Sequence, residues 1–168
     1  VASYLFDGMN MLVRVSFGCA INPISGTNWE GTGITPDIEV PVDQALDAAY
    51  LDALTKLRER AGEDEDAFAL DWAIEGLEAK LNPIELPVEV LQSYAGDYGP
   101  RHLMVENGKL VYQRDERDPF VAEPMSERLF RFEGLPSFRL EVVLDDSGAP
   151  IKLVGHYENG HTDENPRD

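Results

Sequence analysis

Apolar and polar residues alternate along residues 12–17, and this period of two predicts a β-strand near the start of the chain. Residues 22–33 then bring glycines, asparagines and a proline close together. Such a segment continues neither a strand nor a helix, so it is predicted to be a loop. A short apolar run at residues 38–40, which ends at Pro41, predicts a second strand.

A helical period replaces this pattern after Asp43, which is a favourable N-cap residue. The predicted apolar face of this helix consists of Leu46, Ala49, Tyr50, Ala53, Leu54 and Leu57. Gly62 is placed to end the helix, and a second apolar stripe runs through residues 67–81. The short connection predicts an antiparallel helical hairpin, and residues 87–94 predict a third, short helix.

Short strand-like runs fill the rest of the chain. The Asn107-Gly108 pair between residues 101–106 and 109–113 predicts a hairpin. Four further strands are predicted at residues 120–123, 129–132, 138–144 and 151–157. The polar tail from Thr162 is predicted to be frayed. Six or seven short antiparallel strands at this spacing predict a small barrel or sandwich.

These patterns together predict an α+β protein in three parts. Residues 1–41 form the first part, residues 42–94 contain the helical hairpin and the short helix, and residues 95–168 form a small β-rich C-terminal domain.

The charge of the chain limits its partners. Asp and Glu number 32 against 14 Lys and Arg in 168 residues, which gives a formal net charge of −18. Nucleic acids and anionic membrane surfaces are bound through Lys and Arg, so neither is an expected partner. No apolar stretch approaches the roughly 20 residues that span a bilayer. The single cysteine excludes an intrachain disulfide and a multi-cysteine zinc site.

Few residues carry a recognisable chemical pattern. The separations of His102, His156 and His161 match no metal-ligand motif, so they are interpreted as surface or half-buried strand residues. Cys19 is interpreted as a small buried residue, and the acidic residues 63–66 as a solvated helix start. The sequence therefore predicts neither a metal site nor a cofactor.

The loop at residues 22–37 is the strongest candidate for function, because loops of this composition often carry binding or catalytic groups. Glu30 lies between Trp29 and Gly31, and a buried carboxylate there would orient or polarise another group. In the alternative interpretation, Trp29 anchors the loop and Glu30 accepts backbone hydrogen bonds. Spacing alone leaves both interpretations open.

Residues 15–40 read V-S-F-G-C-A-I-N-P-I-S-G-T-N-W-E-G-T-G-I-T-P-D-I-E-V. This string resembles the end of the catalytic domain of S41 family peptidases, the tail-specific or C-terminal-processing serine proteases. Their relatives include the tricorn protease core and the interphotoreceptor retinoid-binding modules. The hairpin at residues 43–83 is similar to one that follows the string in bacterial members. Residues 94–101 and 106–112 resemble a small β-rich extension that some members carry.

The resemblance covers nearly the whole chain and implies the C-terminal fragment of a serine-type endopeptidase, with residues 1–41 as the end of its α/β domain. The nucleophile, its base and the oxyanion-hole glycines would lie upstream of Val1, so the fragment alone is expected to be inactive. Glu30 matches the acid of the Ser-His-Ser-Glu tetrad of the tricorn-like branch, whereas a Ser-Lys dyad would not need it. Cys19 departs from the family string, which carries Arg at that place.

The resemblance also implies partners and a location. The parent enzyme would act on a peptide or an unfolded protein, and export to the periplasm or the exterior of a bacterium is favoured. Strand edges left open by the fragment predict a homodimer, with swapped elements as one form. The alternative function is a non-catalytic binding module or a carrier of hydrophobic ligands like the retinoid-binding relatives. Its candidate contact residues are Tyr94, Tyr98, Tyr112 and Tyr157, and the alternative interpretation is that these aromatic side chains form the core of the β-rich domain.

Overall fold

Three helices and two antiparallel sheets of unequal size make up the structure, a computed structural model that describes residues 1–29, 33–61 and 65–168. The predicted α+β class is confirmed. The chain divides into an N-terminal unit, Val1–Glu39, and a C-terminal unit, Val40–Asp168.

The N-terminal unit contains a two-stranded sheet of β1, Ala2–Phe6, and β2, Met11–Val15. A 3-10 turn at Asp7–Met9 joins the strands, and Asn10 follows it with a left-handed φ of 48°. The strands pair antiparallel, with Leu5 opposite Leu12. No residue of either strand is buried, so this unit contributes a hairpin without a core of its own.

Two sequence expectations for this unit need correction. Strand β1 was not predicted, because Tyr4, Leu5 and Phe6 are consecutive apolar residues and do not alternate. The strand predicted at residues 38–40 is wrong, since those residues form no strand in the structure. Pro41 has no N–H to donate to a ladder at the end of that short run.

The helices are α1, Ala45–Arg60, α2, Glu65–Leu81, and α3, Val88–Tyr94. An Asp47–Lys80 ion pair of 2.6 Å joins α1 and α2 near one end of the pair. An Arg58–Asp71 pair of 2.7 Å joins them near the other end. Since each pair matches the start of one helix with the end of the other, the predicted antiparallel hairpin is confirmed.

The predicted boundaries of these helices hold only in part. Asp43 is not the N-cap of α1, because Val42–Gln44 forms a 3-10 turn and Gln44 takes the cap position. The prediction for Gly62 lies outside the described residues. The predicted face of α1 is confirmed only at Leu54, since its other five residues are exposed and the structure buries Ala48 in addition.

The larger sheet has eight strands: β3, Gly96–Tyr98, β4, Arg101–Glu106, β5, Lys109–Arg114, β6, Phe120–Pro124, β7, Leu129–Phe132, β8, Phe138–Leu144, β9, Pro150–Tyr157, and β10, Thr162–Pro166. They pair antiparallel in sequence order from β3 to β10. The backbone N–H of Asp168 donates to the carbonyl of Asp97 at 3.1 Å, so the two edges of the sheet nearly meet. The predicted small β-domain is therefore a nearly closed barrel.

Asn107 and Gly108, with φ of 51° and 77°, form the predicted tight turn between β4 and β5. The expectation of a frayed tail is wrong, because Thr162–Pro166 pairs with β9 along its whole length. Strand β10 was not predicted because its residues are polar. Ion pairs and partial burial hold its side chains in place of apolar packing.

Aromatic and aliphatic side chains fill the barrel, and α3 contributes Leu91 and Tyr94 to the same cluster. The rings of Tyr112, Phe132 and Phe138 pack with centroids 5.1 to 5.7 Å apart. Because one continuous core joins α3 to the barrel, the short helix is part of the barrel's packing.

Candidate functional site

Glu30, the predicted catalytic acid, lies outside the described residues, and its role stays a prediction. The loop on either side of it is described. Asn22 Oδ1 accepts the N–H of Ile24 at 2.9 Å, and Asn22 also exchanges backbone bonds with Thr27 and Gly26 at 2.9 and 2.8 Å. Gly26 has φ of 67°, which favours glycine. The first half of the loop is thus a turn that satisfies its own polar backbone.

Apolar side chains on this loop face solvent in the structure. Phe17, Ile24 and Ile34 are exposed, and Trp29 retains 48% of its accessible surface. Cys19 is exposed as well, so its interpretation as a buried residue is wrong.

The C-terminal unit contains a cleft of about 470 Å³ between α2 and the strands β8 and β9. Phe68 and Trp72 of α2 line it and lie 6.1 Å apart between ring centroids. Glu141 and His156 line it from neighbouring strands, and Glu141 Oε2 lies 2.8 Å from His156 Nε2. A carboxylate that holds an imidazole beside an aromatic wall can bind a ligand with both polar and apolar parts.

Arg139 fixes α2 against the barrel beneath this cleft. Its guanidinium lies 3.8 Å from the centroid of the Trp72 ring and donates hydrogen bonds to the Trp72 carbonyl and to Glu75. The Trp72 indole N–H donates to the Pro136 carbonyl at 2.9 Å. Burial lowers the pKa of Arg139, and the hydrogen bond that its guanidinium donates to Glu75 opposes that effect. The wall of the cleft is therefore held by contacts from both elements.

The histidines come together only in part. His156 and His161 both line the cleft, and His161 packs on Tyr157 at 5.4 Å between ring centroids. His102 lies elsewhere, with Nδ1 2.7 Å from Asp97 Oδ1. No sequence pattern indicated the Glu141–His156 pair, because only the pairing of β8 with β9 brings these residues together. Among the residues that the structure describes, no three His, Cys, Asp or Glu side chains gather as metal ligands.

An ion pair between a fully buried arginine and a partly exposed aspartate lies in the barrel. Arg101 of β4 is fully buried and donates to both carboxylate oxygens of Asp163 of β10, at 2.7 and 2.9 Å. The guanidinium also donates to the Tyr157 hydroxyl at 3.2 Å and lies 5.2 Å from the Phe138 ring centroid. Since β4 and β10 are near opposite edges of the sheet, this pair helps to close the barrel.

Three of the four tyrosines proposed as partner contacts are core residues. Tyr94, Tyr98 and Tyr112 are buried, and Tyr157 packs partly buried against them. Burial raises the pKa of all three buried phenols above the usual value of 10.0. Their interpretation as contact residues is therefore wrong.

A second cleft, of about 610 Å³, lies where the α2 C-terminus and the segment before α3 meet the β4–β5 turn. Leu86, Leu110 and Val121 give it an apolar floor, and Lys109 and Glu85 are among its charged lining residues.

No helix within the described ranges has the length and apolar character needed to cross a membrane.

Comparison of the chain with protein-family models, curated proteins and solved structures finds no significant match.

Proposed function

We propose that the chain is the C-terminal portion of an S41-like serine endopeptidase that cleaves peptide or unfolded protein substrates. The observation that carries the proposal is the sequence from Asn22 to Asp37. It begins with a turn whose backbone groups hydrogen-bond to one another, and Trp29 and Glu30 follow this turn. Its length and its residue order make it the most specific feature of the sequence.

The exposure of apolar residues in the N-terminal unit supports this proposal. Every residue of β1 and β2 is exposed or half-buried, although Leu5 and Leu12 are strongly apolar. A hairpin with apolar residues on both faces is typical of strands that lie between two layers of an α/β domain. The proposed peptidase domain would supply those layers.

The proposed chemistry is acyl transfer. A serine outside this chain would attack the peptide carbonyl while a histidine takes its proton, and the histidine would pass that proton to the amine that leaves as the peptide C–N bond breaks. Water, deprotonated by the same histidine, would then hydrolyse the acyl-enzyme and restore the serine. Glu30 would accept a hydrogen bond from the group that holds this histidine, which makes it a positioning residue. The chain by itself would bind no serine-directed inhibitor.

The test uses the product of the complete reading frame that encodes this chain, with an unstructured fluorogenic peptide as substrate. We expect hydrolysis, and we expect Glu30→Gln to lower kcat/KM about 100-fold through the lost orientation of the histidine. Glu106→Gln, a matched change in the β4–β5 hairpin, should leave kcat/KM within about twofold.

The two parts of the proposal fail separately. A complete product that cleaves no peptide overturns the peptidase assignment. Hydrolysis that Glu30→Gln leaves unchanged retains the peptidase and overturns the role of Glu30, as a Ser-Lys dyad would require.

A second candidate function is a peptide-binding module in the C-terminal unit, and the cleft with the Glu141–His156 pair favours it. Glu75 and Glu141 each make their observed bond through Oε2, and a carboxylate has about four acceptor positions. Beside Phe68 and Trp72 they suit a peptide with basic and aromatic side chains. The charged lining makes a carrier of purely hydrophobic ligands the weaker alternative.

Tryptophan fluorescence tests this second function, since the chain has two tryptophans and Trp29→Phe leaves only Trp72. A Lys- and Phe-containing peptide should change the emission of Trp72 saturably, and Glu141→Gln should weaken its binding about tenfold. An unchanged emission, or equal binding by an Asp- and Phe-containing peptide, would contradict it.

A further inference from the structure

Helix α1 leaves an apolar stripe exposed along one face. Leu46, Tyr50 and Leu57 keep 81%, 54% and 52% of their accessible surface, and the exposed residues Ala49 and Ala53 lie between them. Spacings of three and four residues place all five side chains on one side of the helix. An apolar helical stripe of this length is unusual on a surface that meets only water.

The side of α1 next to the stripe already has a partner. Ala48 and Leu54 are buried, and Asp47 pairs with Lys80 of α2. The exposed part of the stripe lies beside this packing, and its apolar residues need another explanation.

Two exposed charges of opposite sign bracket the stripe. Asp43 precedes Leu46 by three residues, and Arg60 follows Leu57 by three residues. The acidic end is the N-terminus of the helix and the basic end is its C-terminus, which is the arrangement that the helix dipole favours. The stripe is thus acidic at one end, apolar along its length and basic at the other end.

We propose that this stripe binds the same stripe of a second copy of the chain, with the two α1 helices antiparallel. A twofold axis near the middle of the helix then produces three contacts, each made twice: Leu46 with Leu57, Tyr50 with Ala53, and Asp43 with Arg60.

The antiparallel arrangement favours both close packing of the side chains and pairing of opposite charges. Tyr50 faces the small side chain of Ala53, so a large residue opposes a small one and the helices can approach closely. Asp43 of one copy meets Arg60 of the other, and the helix dipoles oppose each other favourably. A parallel pairing would instead bring Asp43 against Asp43 and Arg60 against Arg60.

A second copy fits this surface better than an unrelated partner does. Two copies repel each other at long range because each carries a net charge of −18, but the Asp43–Arg60 pair makes the stripe locally complementary to itself. One helix pair of about 26 Å buries less area than a standard interface, so the dimer is expected to form at micromolar or higher concentrations. The proposal goes beyond the peptidase function and does not depend on it.

Sedimentation equilibrium over about 1 µM to 1 mM of the chain tests the interface. We expect a reversible monomer–dimer equilibrium. Leu46→Glu should raise the dimer Kd more than about 100-fold, because each copy would then place a carboxylate against Leu57 of the other copy. Ile151→Glu, a matched change at an exposed apolar residue of β9, should leave the Kd within about threefold. Far-UV circular dichroism confirms that both variants fold.

A charge exchange separates this arrangement from other modes of association. Asp43→Lys and Arg60→Glu should each raise the Kd about tenfold, and the double variant should restore it. A monomer throughout the range overturns the proposal. A dimer that persists in the Leu46→Glu variant, as pairing through the edges of β1 and β2 would give, also overturns it. A double variant that does not restore the Kd overturns it as well.

Discussion

Gly155 shows how a single residue permits the ion pair of the barrel. A Cβ atom built at this position would lie 2.3 Å from Asp163 Oδ1 and 2.6 Å from Arg101 Nη2. Distances this short require the ion pair to move, and the surrounding core leaves little room for that. The glycine in β9 is therefore explained by the guanidinium and the carboxylate that pass over it.

We predict that Gly155→Ala lowers the free energy of unfolding by about 3 kcal/mol, because it breaks the ion pair of a buried arginine. Gly76→Ala is the matched control, since a Cβ there would meet only Arg139 Nη2 at 3.7 Å, and alanine is favoured in a helix. It should raise stability by up to about 1 kcal/mol. Urea denaturation measures both, and equal stabilities of the two variants would contradict this role of Gly155.

The buried phenol of Tyr112 makes stability depend on alkaline pH. Burial raises its pKa above 10.0, while Arg101 opposes the rise. Its neutral form is therefore favoured in the folded state, so the stabilisation is complete below pH 10 and is lost as pH rises through the folded pKa.

We predict that the free energy of unfolding, measured by urea denaturation from pH 8 to pH 11, falls above pH 10. Tyr112→Phe removes one of the phenols responsible and should make the fall less steep. Identical slopes for the two proteins would show that Tyr112 does not ionise later in the folded state.

At the scale of elements, Arg139 connects helix α2 to the barrel. Its guanidinium contacts the Trp72 ring and carbonyl and pairs with Glu75, all on α2, while its backbone belongs to β8. The helical hairpin is thus held on the barrel by a buried cation, as well as by the hydrogen bonds of the Trp72 indole to the Pro136 carbonyl and of Arg131 to the Gly76 carbonyl.

We predict that Arg139→Met costs about 2 kcal/mol of stability and speeds hydrogen exchange in α2 more than in β4 and β5. Arg117→Met, at an exposed position in the turn after β5, should change neither quantity appreciably. Exchange that accelerates evenly across the unit would argue against a specific link between α2 and β8.

Sequence periodicity predicted the elements better than it predicted their partners. The limits of β7 and β8 match the predictions, because turn residues and alternating side chains mark both strands locally. The predicted face of α1 is buried only at Leu54, since the spacing of apolar residues such as Leu46 and Leu57 does not reveal which surface covers them. The cleft residues Glu141 and His156 were unpredictable for the same reason, because long-range strand pairing brings them together.

At the scale of the whole molecule, the two units differ in how much of their apolar surface they bury. The C-terminal unit buries a continuous core in its barrel, whereas β1 and β2 of the N-terminal unit bury none of their residues. The proposed peptidase domain explains this contrast, because it would cover the hairpin and the loop around Trp29. Net charge and composition, by comparison, restrict the partners without identifying one.

The most direct test of the proposed function is labelling of the complete reading-frame product with a fluorophosphonate probe, followed by mass-spectrometric mapping of the modified residue. We predict stoichiometric modification of one serine encoded upstream of Val1, and no modification of the chain of residues 1–168 expressed alone. An unlabelled complete product, or a label on a serine within residues 1–168, would contradict the assignment.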